Sequence, residues 1–164
     1  MTLTFTVYGV PQPKGNLRAF IKRGMKFPIV TDSNRNARSW SQLVAEGANR
    51  AIGELADNDR ARLFESAIRL SVAFYLPRPK KYQKRGVPVA HLTAPDIDKL
   101  LRAVLDALTK VAWGDDSQVV ELLTTKAYAD VDAPPHAAIR VERTTGARPV
   151  VVPPAPLPLL EIDS

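Results

Sequence analysis

The sequence contains no cysteine and only two histidines, His91 and His136. The missing cysteines exclude a disulfide framework, a thiolate zinc site and a cysteine nucleophile, and two distant histidines exclude a histidine-rich metal centre. No apolar run approaches the roughly 20 residues that a membrane-spanning helix needs. The phosphate-loop pattern GxxxxGK[ST], the pattern GxGxxG and the zinc pattern HExxH are absent as well. These absences direct attention to carboxylate and basic side chains.

The composition is that of one globular domain with a basic surplus. The chain has 164 residues, of which 45% are hydrophobic, and its 23 Lys and Arg against 17 Asp and Glu give a net charge of +6. This surplus suits a nucleic-acid-binding protein without proving one. The N-terminus MTLTFTVYGV alternates like a strand and lacks the basic region and cleavage pattern of a signal peptide. We therefore expect a cytoplasmic protein with no membrane association.

Hydrophobic periodicity predicts an α/β (α+β) fold with a small mixed or antiparallel sheet and two main helices. We expect a first strand around residues 3–8 and a short hairpin around Gly24 in the basic segment 16–36. A helix is expected over 39–57 with Ser39 as N-cap. Three further strands are predicted over residues 66–76, 118–128 and 136–143. Residues 1–143 would form the single domain, and residues 144–164 a tail.

The clearest helix is predicted over residues 97–112. Its apolar residues follow the i, i+3, i+4, i+7 rule and form one stripe, Asp96 is a suitable N-cap, and Gly114 would end the helix. The apolar stripe consists of Ile97, Leu100, Leu101, Val104, Leu105, Leu108 and Val111.

The tail is rich in proline, with five of the chain's 14 prolines between Pro149 and Pro158. Proline disfavours a helix and donates no backbone hydrogen bond. Two interpretations stay open: a disordered end, or a polyproline-type docking strip anchored by Leu157, Leu159 and Leu160.

A second unusual segment, RPKKYQKR, has five basic residues among the eight from Arg78 to Arg85. Such a run forms either a solvated mobile loop or a strip that neutralises DNA phosphates. Because the whole chain is basic, we favour the second interpretation.

Four aspartates, Asp96, Asp98, Asp115 and Asp116, flank the predicted helix. Carboxylate oxygens suit Mg²⁺, which is usually completed by water and by substrate phosphate, and such sites hydrolyse phosphodiesters. In a basic chain, unbalanced carboxylates beside phosphate would repel it unless a cation lay between them. The alternative is structural: Asp96 as a helix cap and Asp115 and Asp116 as a solvated loop.

The run PDIDKLLRAVLDALTKVAWGDDSQVVE at residues 95–121 closely resembles the signature of the RusA-like endonucleases, Holliday junction resolvases common in phages and prophages. That signature is roughly D-x-D-N-x-x-K, then D-A-L, then an aromatic-containing turn and D-D-x-x-V. A looser match includes the early segment with Val7, Gly9, Pro11, Pro13 and Lys14. The resemblance implies a Mg²⁺-dependent homodimer, with Mn²⁺ able to substitute, that cuts four-way DNA junctions in recombination and repair, in the cytoplasm of a bacterial host if phage-encoded.

The resemblance also implies roles for particular residues. Asp96, Asp98 and Asp116 would be the essential metal-binding acids, with Asp115 as their neighbour. The family's Asn is Lys99 here and its helical Lys is Arg102, which would clamp phosphate without shuttling a proton. We expect DNA contacts from basic side chains throughout the chain: Lys14, Arg18, Arg78, Lys80, Lys81, Lys84, Arg85 and Lys99.

A helix of about 16 residues is roughly 24 Å long, which places Asp96 and Asp116 too far apart for one metal site. Either the helix ends early and the loop folds back, or two protomers share each site across a two-fold axis. Two functional alternatives also stay open: a nuclease that cuts branched DNA and flaps more broadly, and a non-catalytic DNA-binding protein with the same fold.

Overall fold

A computed structural model describes residues 1–15, 17–20, 27, 29–32, 34–82 and 90–145, with backbone alone for 17–20 and 29–32. Six strands and three α-helices are defined within these ranges. The strands are β1 (Thr2–Tyr8), β2 (Leu17–Phe20), β3 (Ile29–Asp32), β4 (Ala67–Leu76), β5 (Val119–Tyr128) and β6 (His136–Thr144), and the helices are α1 (Ala37–Gly53), α2 (Asp57–Glu65) and α3 (Ile97–Leu108). This is the expected small α+β domain. The first residue of the predicted tail, Thr144, ends β6. Residues 146–164 lie outside the described residues, so the tail stays a prediction.

The main sheet has the strand order β1-β6-β4-β5. β6 pairs antiparallel with β1 and with β4, whereas β4 and β5 are parallel, so the sheet is mixed. Every second residue of β4 from Ile68 to Leu76 is buried. This alternation directs one face of the sheet into the core, where it packs with α1 and α3 around Trp40 and Trp113. β2 and β3 form a separate antiparallel pair, which confirms the short hairpin, although its turn lies outside the described residues.

The β4–α3–β5 segment is a crossover between parallel strands, with α3 as the connecting helix. The residues that follow β4 lead to the amino end of α3, and the residues that follow α3 lead to the start of β5. Because a crossover helix runs back along its sheet, the amino end of α3 lies near the carboxyl end of β4, and the carboxyl end of α3 lies near the amino end of β5.

The boundaries of the helices differ from the predictions. The N-cap of α1 is Asn36 rather than Ser39, and the segment after Gly53 forms a separate helix, α2. α3 ends at Leu108 instead of residue 112, because the backbone of Thr109 is extended and Lys110 adopts a left-handed conformation with φ of 67°. None of the described helices is both long and apolar enough to cross a bilayer.

Candidate functional site

Two of the four aspartates lie at the amino end of α3. Asp96 occupies the N-cap position, but its carboxylate makes no capping bond and lies 3.1 Å from the Nζ of Lys99. Asp98 follows in the first turn and is exposed. The unpaired N–H groups at a helix amino end stabilise negative charge. This position therefore favours two neighbouring carboxylates that solvent can reach.

The segment before Asp96 is held by β5. The Nζ of Lys126 donates to the carbonyl oxygens of Thr93 and Pro95, at 2.9 and 2.8 Å, and the peptide bond from Ala94 to Pro95 is cis. Lys14 ties the loop after β1 to the same helix: its backbone N–H donates to the Lys99 carbonyl at 2.9 Å, and its ammonium pairs with Asp106. These contacts make Lys126 and Lys14 supports of the amino end of α3.

An open groove of about 620 Å³ lies beside Asp96 and Lys99. Its apolar wall includes Pro11 and Leu76, and His91 lies in it as a buried polar residue, with only 8% of its surface exposed. Burial lowers the pKa of His91, and the positive charge of Lys126 lowers it further. The imidazole is therefore neutral at pH 7, and its Nδ1 has no hydrogen-bond partner within the described residues.

Asp116 lies in a tight turn beyond the carboxyl end of α3. One of its carboxylate oxygens, Oδ1, accepts hydrogen bonds from the Thr109 hydroxyl and, at 3.1 Å, from the indole N–H of Trp113. Trp113 is fully buried, so its indole fixes the orientation of the carboxylate. The other carboxylate oxygen, Oδ2, can still accept a ligand.

The same turn is closed by Asp115 and Gln118, which form a capping box. Asp115 accepts from the backbone N–H of Ser117 at 2.9 Å, and hydrogen bonds from the side chain and the backbone of Ser117 lower the pKa of Asp115. The Gln118 amide oxygen accepts from the N–H groups of Gly114 and Asp115, at 2.7 and 2.8 Å. Its amide nitrogen donates to the carbonyls of Phe64 and Ser66. Gln118 therefore fastens the turn to the end of α2.

The structure brings the aspartates together as two pairs and not as one cluster. Asp96 and Asp98 lie at one end of α3, and Asp115 and Asp116 lie beyond the other; α3 has 12 residues, and the ten that follow Asp98 separate the pairs by about 15 Å of helix. Nowhere in the described ranges do three or more His, Asp or Glu side chains converge as a metal-binding group would require. The helix does end early, yet its following loop returns Asp116 only to Thr109 and not to Asp96.

The predicted DNA-binding residues fall into different environments. Arg78 is largely buried: its side chain is only 5% exposed and donates to the carbonyls of Ala129 and Tyr82 at 2.7 and 3.3 Å. It therefore supports the fold, and its DNA contact stays a prediction. Lys80, Lys81 and Arg102 are exposed, and the Nζ of Lys81 lies 4.8 Å from the centre of the Tyr82 ring. Lys84, Arg85 and the side chain of Arg18 lie outside the described residues.

Comparison with known proteins identifies the family. The family model for endodeoxyribonuclease RusA matches residues 9–142. The chain belongs to the RusA endodeoxyribonuclease family. An uncharacterized protein of Bacillus subtilis (strain 168), YqaN, is 30% identical over 136 residues, which cover 78% of this chain and 89% of YqaN. RusA membership makes the chain a nuclease that cuts within DNA strands, and the RusA match includes both aspartate pairs.

Sequence reasoning missed two supports of this RusA-family site. Gln118 could have been found, because Asp115 followed three residues later by Gln118 is the spacing of a capping box. Lys126 left no such signal, because its carbonyl partners at Thr93 and Pro95 are more than 30 residues away in the sequence. The metal-binding and DNA-binding roles of the individual residues stay predictions.

We expect Gln118→Ala to lower the free energy of unfolding by about 2 kcal/mol, because two backbone N–H groups and two carbonyls lose their partner. Cleavage of DNA should fall as well, since the turn that presents Asp115 and Asp116 is no longer fastened. Thermal unfolding and cleavage assays measure the two effects. Gln42→Ala, the same change at an exposed position of α1, is the matched control, and equal melting of the two variants would contradict the prediction.

Proposed function

We propose that this protein is a Mg²⁺-dependent homodimeric endodeoxyribonuclease that resolves four-way DNA junctions in recombination and repair by hydrolysing one phosphodiester in each of two strands. The observation that carries the proposal is the presence of both aspartate pairs within the segment that matches the RusA family. A two-fold symmetric dimer suits a four-way junction, because two equivalent sites can nick two strands of like polarity.

The aspartate carboxylates are the type of ligand that Mg²⁺ prefers. Each end of α3 offers two exposed carboxylates, and hard oxygen ligands of this type are those that Mg²⁺ prefers, with Mn²⁺ as a close substitute. Within one chain, only two of these four aspartates lie at each end of α3. We therefore propose that two chains pair α3 antiparallel, so that Asp96 and Asp98 of one copy meet Asp116 of the other, with Asp115 beside it.

The side chains of the site would then have different roles in catalysis. A bound Mg²⁺ would supply Lewis acidity toward the scissile phosphate and lower the pKa of a bound water. Thr109 and Trp113 hold the Asp116 carboxylate in one orientation, so no free energy is spent on ordering it during the reaction. The exposed guanidinium of Arg102 stands one helical turn after Asp98 and would stabilise negative charge on the phosphate, together with Lys99.

The remaining cations would grip the DNA backbone. Lys80 and Lys81 are exposed beyond β4, and neutralising phosphates by such residues provides affinity without sequence information. Lys84, Arg85 and Arg18 would extend this contact. The ammonium of Lys14 pairs with Asp106, so its charge would be only partly available to a DNA phosphate.

Cleavage of matched DNA substrates tests the proposal. A labelled four-way junction, a flap, a splayed duplex and a linear duplex of common sequence are incubated with Mg²⁺, with Mn²⁺ and with EDTA. We expect paired nicks placed symmetrically in the junction, supported by either metal and abolished by EDTA. Equal cutting of the flap would support the broader branched-DNA nuclease instead. Tight junction binding without nicks in either metal would support a non-catalytic DNA-binding protein.

A further inference from the structure

Three aromatic side chains form a row across the exposed face of the sheet. Tyr8 on β1 pairs with His136 on β6, and His136 pairs with Tyr75 on β4. Residues in register on neighbouring strands point to the same side of a sheet, and Phe74 and Leu76, which flank Tyr75, are buried on the other side. The aromatic row of Tyr8, His136 and Tyr75 therefore lies opposite the face that packs against the helices.

Two rings of this aromatic row are stacked, and the third is tilted against them. The rings of Tyr75 and His136 are 4.5 Å apart with 22° between their planes, whereas the ring of Tyr8 lies 5.9 Å from that of His136 with 47° between their planes. The Nδ1 of His136 lies 2.8 Å from the Pro134 carbonyl oxygen, a contact that orients the imidazole. Tyr8, at the end of the row, is 65% exposed, so one more flat ring could join there.

The aromatic row lies at the same end of the strands as Asp96 of the proposed cleavage site. Tyr8 is two residues before Val10, and Tyr75 is next to Leu76; Val10 and Leu76 both line the groove beside Asp96. Lys80 and Lys81, which are exposed, follow β4 at the same end of the strands. A strand with its phosphate near Asp96 would thus reach aromatic rings and cations by passing around this end of the sheet to its opposite face.

Beyond the aromatic row, the same face offers a shallow depression of about 150 Å³. The depression is lined by small side chains of β4 and β6, including Ala73, Ala138 and Ser71. Arg140, which is in register with Ser71, lines the part that is farther from the row. Small side chains beside exposed rings leave room for flat groups. Four-stranded sheets that carry exposed aromatic residues bind unpaired bases in this way, by stacking.

We propose that the aromatic row of Tyr8, His136 and Tyr75 is a stacking platform for unpaired bases of the DNA substrate. This inference rests on the proposed function, since an opened branch point is what would supply such bases beside Asp96. A nucleic-acid ligand is favoured over a protein because the rings carry hydroxyl and imidazole groups, the chain is basic, and the exposed Lys80 and Lys81 follow β4 shortly after Tyr75. Leu122, an exposed aliphatic side chain of β5, is in register with the buried Leu70 and therefore lies on the other face of the sheet.

Binding of oligonucleotides with and without bases tests the platform. Fluorescence anisotropy compares a labelled thymidine oligonucleotide of about 12 nucleotides with an abasic oligonucleotide of equal length and charge, in EDTA to prevent cleavage. We expect the wild type to bind the thymidine oligonucleotide at least about fivefold more tightly than the abasic one, and Tyr8→Ala to lose this difference. Tyr8→Phe, which keeps the ring, and Leu122→Ala, which removes an exposed apolar group from the other face of the sheet, should both retain it.

Three results would overturn the platform. These are equal affinity of the wild type for both oligonucleotides, an equal loss in Leu122→Ala and Tyr8→Ala, and a change in molecular mass in solution caused by Tyr8→Ala, which would make the face an interface between copies. Junction cleavage by the same preparations is measured separately. Junction cleavage without base-dependent binding would contradict the platform and leave the proposed function unaffected. Base-dependent binding without junction cleavage would contradict the proposed function and leave the platform unaffected.

Discussion

Asp98→Asn should reduce the rate of junction cleavage by at least about 10³-fold while DNA binding persists. The substitution keeps the size of the side chain and removes its charge, so a divalent cation loses one of its anionic ligands; a loss of about 4 kcal/mol in transition-state stabilisation corresponds to that factor. Asp98 is exposed in the first turn of α3, so the free energy of unfolding should fall by less than about 1 kcal/mol. Single-turnover cleavage in Mg²⁺ and binding in Ca²⁺ measure the two properties.

Asp132→Asn is the matched control, because Asp132 is an exposed aspartate in the loop before β6, far along the chain from α3. It should cleave at the wild-type rate. A cleavage rate of Asp98→Asn within tenfold of the wild-type rate would show that this carboxylate is not an essential metal ligand. Loss of junction binding by Asp98→Asn would show that the residue supports the DNA complex and not the reaction.

Mixing two inactive variants should restore cleavage. If Asp96 and Asp98 of one copy meet Asp116 of the other, a heterodimer of Asp98→Asn and Asp116→Asn subunits contains one intact site and one doubly altered site. Random exchange makes about half of the dimers mixed. The mixture should therefore show about one quarter of the wild-type number of active sites, and its product should be nicked junction and not paired cuts.

Each variant alone, carried through the same exchange procedure, is the control and should remain inactive. Two differently tagged subunits show that mixed dimers have formed. Mixed dimers without any nicking would mean that each site is complete within one chain. In that case Asp116 would have to approach Asp96 by a rearrangement of the residues after Leu108.

Much of the fold was predictable because its elements carry strong local patterns. The alternation in β4 and the apolar stripe of α3 located both elements to within a few residues. α2 was missed because its sequence, DNDRARLFE, is strongly polar and Leu63 is its one buried residue. Its position depends on tertiary contacts, such as those of Gln118 with Phe64 and Ser66. Strand order was also unpredictable, since most neighbours in this sheet are distant in sequence.

The candidate site was predictable in its residue types and less so in its arrangement. The aspartates were found because carboxylates at two ends of an amphipathic helix form a recognisable spacing. The environment of Arg78 was not found, since a basic run in a sequence gives no sign of which side chain will be buried against carbonyl groups. The platform residues Tyr8, Tyr75 and His136 come from three strands, and their register exists only in the folded sheet.

The place of β6 in the sheet affects how the chain can fold during synthesis. β6 is the last strand in the sequence, yet it lies between β1 and β4, so neither of those strands has its antiparallel partner until residues 136–144 have left the ribosome. Contacts of such long sequence separation slow folding. The sheet must therefore assemble after translation has passed Thr144. A truncated product that ends before β6 would lack the scaffold on which α3 is held, so incomplete chains should not act on DNA.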